Sequence, residues 1–156
     1  MSLQPERRRS LSAGNTPERP LFKLDTWKGV YSNSETRPTA IAWFWDNFDP
    51  ITHSVWEVVY LYPEELTLTF MSANMVGGFF QGITAKRSLC FGSLAVYGTD
   101  NDNAIRGYFI FKGQECLVDG GSAFAFTKVD VQSVKADFEA SLAWDGPGFV
   151  DGKTFK

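Results

Sequence analysis

Histidine is nearly absent from this sequence of 156 residues, which contains a single one, His53. Histidine is the side chain whose ordinary pKa lies near neutrality, so a catalytic dyad has only one candidate base. Its neighbours Asp49 and Glu57 fit no metal-binding spacing. The glycines match neither a dinucleotide fingerprint nor a phosphate loop, and no serine lies in a nucleophile elbow. We therefore interpret His53 as an exposed or loop-packing residue and predict a protein without enzymatic activity, cofactor or metal.

Cysteine is also scarce, because only Cys90 and Cys116 are present. Both lie in apolar, strand-like contexts without zinc spacing, which favours buried thiols in a reducing compartment over a disulfide framework. Arg, Lys, Asp or Gly interrupts every apolar run, so no membrane insertion is predicted. The N-terminus lacks the hydrophobic core of a secretory signal. The predicted location is cytoplasmic, and an organellar or cytoskeleton-associated location is the alternative.

Charge is divided unevenly along the chain, although the formal net charge is only −3. Residues 1–20 hold four Arg and two Glu, a net charge of +2, so the remaining 136 residues carry −5. An acidic body argues against direct binding of nucleic acid through its phosphates. The first 20 residues are polar and rich in Pro and Ser, which predicts a disordered basic leader or linker. Arg7, Arg8 and Arg9 in this leader are candidate contacts to an acidic partner surface.

Residues 21–156 are predicted to form one domain in which helices alternate with groups of strands. Helical spacing of Ile41, Phe44, Trp45 and Phe48 is the clearest helix signal. The predicted helices run from Asp25 or Thr26 to Tyr31, over 38–48, over 67–81 and over 132–143. The third is carried by Phe70, Met71, Met75, Phe79 and Phe80, which recur near helical spacing.

Strands are predicted where β-branched and aromatic residues concentrate. Their ranges are 54–62, 88–97, 105–112, 115–118 and 122–130. The turn-rich segment 98–104 predicts an antiparallel hairpin, and it lacks the Gly and Glu positions of a calcium loop. The segment 146–148, Gly-Pro-Gly, is predicted to end the ordered packing and release the tail. The sequence thus predicts an α+β fold, a single domain with an antiparallel sheet of about five strands flanked by helices.

Several sequence blocks are long and specific. Trp-Phe-Trp-Asp-Asn-Phe-Asp-Pro occupies 43–50, and Pro-Glu-Glu-Leu-Thr-Leu-Thr-Phe-Met-Ser occupies 63–72. Shorter blocks are Phe79-Phe80-Gln81, Tyr97-Gly98-Thr99, Phe111-x-Gly113-Gln114-Glu115, Trp144-Asp145-Gly146 and Gly152-Lys153-x-Phe155-Lys156. Together they resemble the C-terminal domain of the gamma subunit of translation elongation factor 1B, over about residues 21–156.

This resemblance implies a non-enzymatic interaction or scaffolding domain that anchors the elongation factor complex in protein synthesis. The implied partners are proteins, elongation factor 1B subunits among them. In that family a glutathione-transferase-like domain and a lysine-rich linker precede the domain, whereas this sequence has about 20 residues in their place. The alternative is therefore a structural subunit of another large assembly, cytoskeletal or organellar, that reuses the domain without the transferase-like part.

An aromatic helix with an acidic edge is the predicted partner-binding site. Trp43 lies about 200° from Trp45 around the helix axis, so it points away from the main buried face. Either a second layer, such as the C-terminal tail around Phe149 and Phe155, buries Trp43, or Trp43 is an exposed anchor for a partner. The predicted acidic rim consists of Asp46, Asp49, Glu64 and Glu65. For the two glutamates, an electrostatic role at a helix N-terminus is the alternative.

Overall fold

A five-stranded antiparallel sheet is the centre of the molecule. The structure, a computed structural model, describes residues 22–156, so the predicted leader with Arg7, Arg8 and Arg9 lies outside the described residues. The strands are β1 (His53–Tyr60), β2 (Cys90–Thr99), β3 (Asp102–Lys112), β4 (Phe124–Val129) and β5 (Phe149–Phe155). Their order across the sheet is β4-β1-β3-β2-β5, and all four neighbouring pairs are antiparallel.

Helices cover both faces of this sheet, which confirms the predicted α+β fold. The α-helices of the described residues are α1 (Leu24–Asn33), α2 (Ile41–Asn47), α3 (Thr69–Gly82) and α4 (Lys135–Ala143). Short helical segments of one or two turns occupy Thr36–Ala40, Pro63–Glu65, Thr84–Leu89 and Val131–Val134. Helices α1, α2 and α4 pack on one face, and α3 packs alone on the other. No helix within residues 22–156 is both long enough and apolar enough to cross a bilayer.

The face under α1, α2 and α4 is built largely from aromatic rings. Trp27 of α1 and Phe44 of α2 are fully buried, with ring centroids 5.4 Å apart. Phe138 of α4 lies 4.9 Å from Phe44 and closes the cluster from the other side. Such large rings each remove much apolar area from water, so this face has a well-stabilised core.

The opposite face depends on a single helix. Val76 and Phe80 of α3 are buried against the sheet, where Phe80 lies 6.0 Å from Phe109 and 5.5 Å from Phe155. The 14 residues of α3 include no charged side chain. This uncharged helix shares the face with the connection between β3 and β4, from which Val118 is buried in the same core.

Two predictions about the sheet are wrong. Residues 115–118 form no strand, because they belong to the connection 113–123 between β3 and β4. Both of these strands pair antiparallel with β1, one on each side, so they run parallel to each other. A connection between parallel strands must leave the sheet and cross over it. The fifth strand is instead the tail β5, which pairs with the free edge of β2 rather than leaving the fold.

Three element boundaries differ in detail from prediction. Helix α1 begins at Leu24 without a side-chain cap, because the buried Leu24 and Trp27 hold its first turn against the core. The helix predicted over 38–48 is divided into two segments, because Thr36–Ala40 form a π-helical turn and regular α2 runs from Ile41 to Asn47; the extended backbone angles of Arg37 lie just before the predicted range. The hairpin turn is tighter than 98–104, because β2 and β3 pair up to Thr99 and Asp102.

Candidate protein-interaction surface

Trp43 is half-buried beneath α1. Its ring stacks on Trp27 at a centroid distance of 6.2 Å and an interplanar angle of 21°, and it lies 5.9 Å from Phe22. A second layer therefore covers Trp43, but α1 supplies it rather than the C-terminal tail. Phe155 of that tail lies in the core on the opposite face of the sheet. Part of the Trp43 ring remains accessible to a partner.

The predicted acidic edge is divided between two ends of β1. Asp46 is exposed at the end of α2, and Asp49 accepts a hydrogen bond from the Ile51 amide at 2.9 Å, just before β1. Glu64 and Glu65 are exposed in the helical turn that follows β1. The eight residues of β1 span about 26 Å. The structure therefore does not bring the two glutamates together with Asp46 and Asp49 as one rim.

Exposed apolar side chains concentrate in one stretch of the chain. The described residues include eight large apolar side chains that are exposed, and six of them lie between residues 61 and 75. These six are Leu61, Tyr62, Leu68, Phe70, Met71 and Met75. We call them the α3 surface. Scattered apolar residues are normal on a protein surface, whereas a contiguous group marks an interaction site.

The α3 surface exists because α3 is apolar on its outward side as well as on its inward side. Val76 and Phe80 face the sheet, while Phe70 and Met71 point outward with 62% and 51% exposure. Met75 lies one turn after Met71, and methionine adapts to irregular partner surfaces. The sequence pattern correctly placed these residues on a helix but did not show that they would be exposed. The sequence feature that could have indicated an interaction surface is the absence of charged residues from α3. A helix without a charged face is typically buried on all sides, and here the sheet covers only one side.

The β2–β3 turn holds the start of α3 in place. Asp100 accepts hydrogen bonds from the amide and the hydroxyl of Thr69, at 2.9 and 3.3 Å. Asn103 is buried, accepts from the Ser72 hydroxyl at 2.6 Å and donates to the Thr67 carbonyl at 2.8 Å. Asp100 thus provides the cap that the residues preceding α3 lack. The outward residues of α3 are presented on a fixed helix.

His53 packs in the core boundary rather than serving as an exposed base. It is 7% exposed, its ring lies 4.7 Å from Phe22, and its Nδ1 lies 2.8 Å from the Thr52 hydroxyl. Burial lowers the pKa of His53; the charge of Asp49 opposes this shift, and that of Lys112 adds to it. His53 is therefore a packed residue at the start of β1 rather than an exposed one, and its burial favours the neutral imidazole.

The two cysteines are free thiols, and burial opposes their ionisation. Burial raises the pKa of Cys90 to about 12 and also raises that of Cys116. Neither thiol is therefore activated as a nucleophile. Within residues 22–156 no cluster of His, Cys, Asp and Glu has an arrangement that could hold a metal ion.

These features define the class of domain: an α+β domain in which one helix, α3, is apolar on its exposed side as well as on its buried side. A family model described as "Elongation factor 1 gamma, conserved domain" matches residues 12–115. The chain is 42% identical over 139 residues to "Elongation factor 1-gamma 2" of Saccharomyces cerevisiae, with 85% of this chain and 34% of the relative covered. It is 42% identical over 148 residues to "Elongation factor 1-gamma" of Schizosaccharomyces pombe, with 86% and 36% covered. It is 36% identical over 151 residues to "Elongation factor 1-gamma" of Homo sapiens, with 86% and 34% covered.

The chain belongs to the elongation factor 1 gamma conserved-domain family, which confirms the resemblance found in the sequence blocks. It spans about a third of the length of the curated relatives that it matches.

Proposed function

We propose that this chain is a non-enzymatic protein-interaction domain that anchors an elongation factor 1B-type complex in protein synthesis. Family membership supports the link to translation, because the matched relatives are named elongation factors. The observation that carries the interaction role is the α3 surface, where six exposed apolar side chains lie within 15 residues. Its partners are proteins, among them other subunits of the elongation factor complex, and its location is the cytoplasm.

The composition of the α3 surface fits a protein partner. Complete burial of one large apolar side chain stabilises a complex by about 1.5–3 kcal/mol. Phe70 and Met71 are the most exposed members, so they gain most from being covered. Glu64 and Glu65 lie between Tyr62 and the helix and supply the polar rim that interfaces commonly have. In this proposal the two glutamates contact the partner next to α3 rather than next to Trp43.

The test is affinity capture from an extract of the source cells, with the full chain as bait and the recovered proteins identified by mass spectrometry. We compare the unaltered chain with a double variant, Phe70→Ser and Met75→Ser. The matched control is Ile51→Ser with Val150→Ser, because these are the two exposed large apolar residues that residues 22–156 contain outside the α3 surface. Circular dichroism verifies that both variants fold.

We expect the unaltered chain and the control to recover elongation factor subunits and the α3 variant to lose them. Equal recovery by both variants would contradict the role of the α3 surface. Recovery of a cytoskeletal or organellar assembly instead of translation factors would contradict the proposed complex. That outcome would establish the alternative, a structural subunit of another assembly that reuses this domain.

A further inference from the structure

Basic side chains gather on a second surface, formed by α1, the turn Thr84–Leu89 and the end of β3. The residues 22–156 contain 11 Lys and Arg, and six of them lie here. These six, which we call the basic surface, are Lys23, Lys28, Lys86, Arg87, Lys112 and, at the end of the chain, Lys156. This concentration contrasts with the net negative charge of the domain.

Two open clefts lie on the basic surface and share Asp25 as a wall. One has a volume of about 370 Å³, and Lys23 and Lys112 line it. The other has a volume of about 520 Å³, and Lys28, Arg87 and Lys156 line it. Asp25 is the one carboxylate among the side chains that line either cleft in the described part of the chain. The clefts therefore present cations with little internal neutralisation.

The basic charges are held close together by the fold. The Lys28 ammonium donates a hydrogen bond to the Arg87 carbonyl at 2.6 Å, which ties α1 to the turn after α3. Burial lowers the pKa of Lys28; Asp25 opposes this shift, and the charges of Lys112 and Arg87 add to it. The ion pairs formed within residues 22–156 involve Arg37 and Arg106 and none of the six basic residues. An anion from outside would relieve this repulsion.

We propose that the basic surface binds a short acidic segment of a partner protein, whose Asp or Glu side chains enter the two clefts. A nucleic acid fits less well, because none of the described residues places an exposed aromatic ring in the clefts for base stacking. The acidic remainder of the domain would also repel an extended polyanion, whereas a short segment stays within the basic surface. The inference goes beyond the proposed function, because different residues carry it and it names the chemistry of a second partner.

The experiment measures binding of a fluorescein-labelled oligo-glutamate peptide to the full chain by fluorescence anisotropy in low-salt buffer. The test variant combines Lys23→Gln, Arg87→Gln and Lys112→Gln. It leaves the structural bond of Lys28 in place, since the Arg87 backbone accepts it. The matched control removes three positive charges elsewhere through Lys128→Gln, Lys135→Gln and Lys153→Gln.

We expect the test variant to bind the peptide about 10-fold more weakly and the control to change the affinity less than about 2-fold. Asp25→Asn removes the carboxylate between the clefts and is expected to tighten binding by about 2-fold. Because misfolding would weaken binding and not tighten it, the Asp25→Asn variant still tests the inference if the triple variant is unstable. Added salt is expected to weaken the binding of the unaltered chain.

Several results would overturn the inference. They are an absence of saturable peptide binding, an equal loss in the control variant, and tighter binding of a charge-matched oligonucleotide or of phosphatidylserine vesicles. The Phe70→Ser and Met75→Ser variant separates this inference from the proposed function. We expect it to bind the peptide normally while losing the captured complex, and loss of peptide binding in that variant would place the acidic segment on the α3 surface instead.

Discussion

Truncation of Trp43 distinguishes a structural role from a partner-binding role for this residue. Trp→Ala at a fully buried site costs about 3–5 kcal/mol. Trp43 is half-buried, so we expect about half of that value, with up to about 1 kcal/mol more for the lost stacking on Trp27. The expected decrease in the free energy of unfolding is therefore about 2–3 kcal/mol. For a domain of this size, that corresponds to a decrease in Tm of about 10 °C.

The assay is urea unfolding followed by circular dichroism, since tryptophan fluorescence itself changes with the substitution. Trp43→Phe keeps a ring above Trp27 and serves as the control, with an expected loss below about 1.5 kcal/mol. Partner capture is measured on the same proteins. An unfolding free energy unchanged within about 0.5 kcal/mol, combined with loss of captured partners, would refute the structural assignment. Trp43 would then be the anchor that the sequence pattern allowed.

The remaining predictions concern acid stability and two glycines. Because burial lowers the pKa of His53, the unfolded chain binds a proton near pH 6.5 that the folded chain does not. We therefore expect the free energy of unfolding to fall as the pH decreases below about 6.5, and we expect a smaller fall in His53→Gln. Urea unfolding at pH values above and below 6.5 measures both. The same dependence on pH in the variant and in the unaltered chain would count against this role of His53. In Gly107→Ala, the added Cβ meets the Ser93 backbone of the paired strand, so we expect a loss of about 2–3 kcal/mol. In Gly78→Ala on α3 the added Cβ has no neighbouring atom within 4 Å, so we expect chemical unfolding to show the domain stabilised by about 0.5–1 kcal/mol. Similar effects of the two substitutions would refute this steric argument.

Local periodicity predicted the elements that bury one face in a regular repeat. Ile41 and Phe44 lie on the same side of α2 and are both buried, as their helical spacing indicates. The β2–β3 hairpin followed from two apolar runs around a turn-rich segment, and both runs are buried strands in the structure. Helix α2 and this hairpin were predictable because the residues that determine them are close together in the chain.

The fifth strand could not be predicted from its own sequence, because its pairing depends on residues far away in the chain. Residues 149–155 include Asp151, Gly152 and Lys153 and show no strong strand signal. They pair because β2 has a free edge and because Phe155 completes the core beneath α3. Residues 115–118 are more apolar but lie in the connection from β3 to β4, where Val118 is buried in the core on the α3 side of the sheet instead of pairing as a strand. Which edges are free becomes known only after the strand order is known.

The candidate site shows the same limit. Trp43, Asp46 and Glu64 lie within 22 residues of each other, but β1 separates the glutamate from the other two. Phe70 and Met71 were assigned correctly to a helix, yet their exposure follows from the number of helices that share each face. The sequence pattern identified side chains able to bind a partner, and the three-dimensional packing determined which of them are available.

The cap provided by Asp100 affects the local unfolding of α3. Thr69 at the start of the helix is bonded to Asp100, and the Asn101 amide donates to the Thr67 carbonyl at 2.7 Å. The first turn of α3 therefore cannot unwind without breaking bonds to the β2–β3 turn. Helix start and hairpin turn form one cooperative unit of local unfolding, whose amides exchange with solvent together. A ligand that covers Phe70 would consequently slow hydrogen exchange in the hairpin turn, which it does not need to touch.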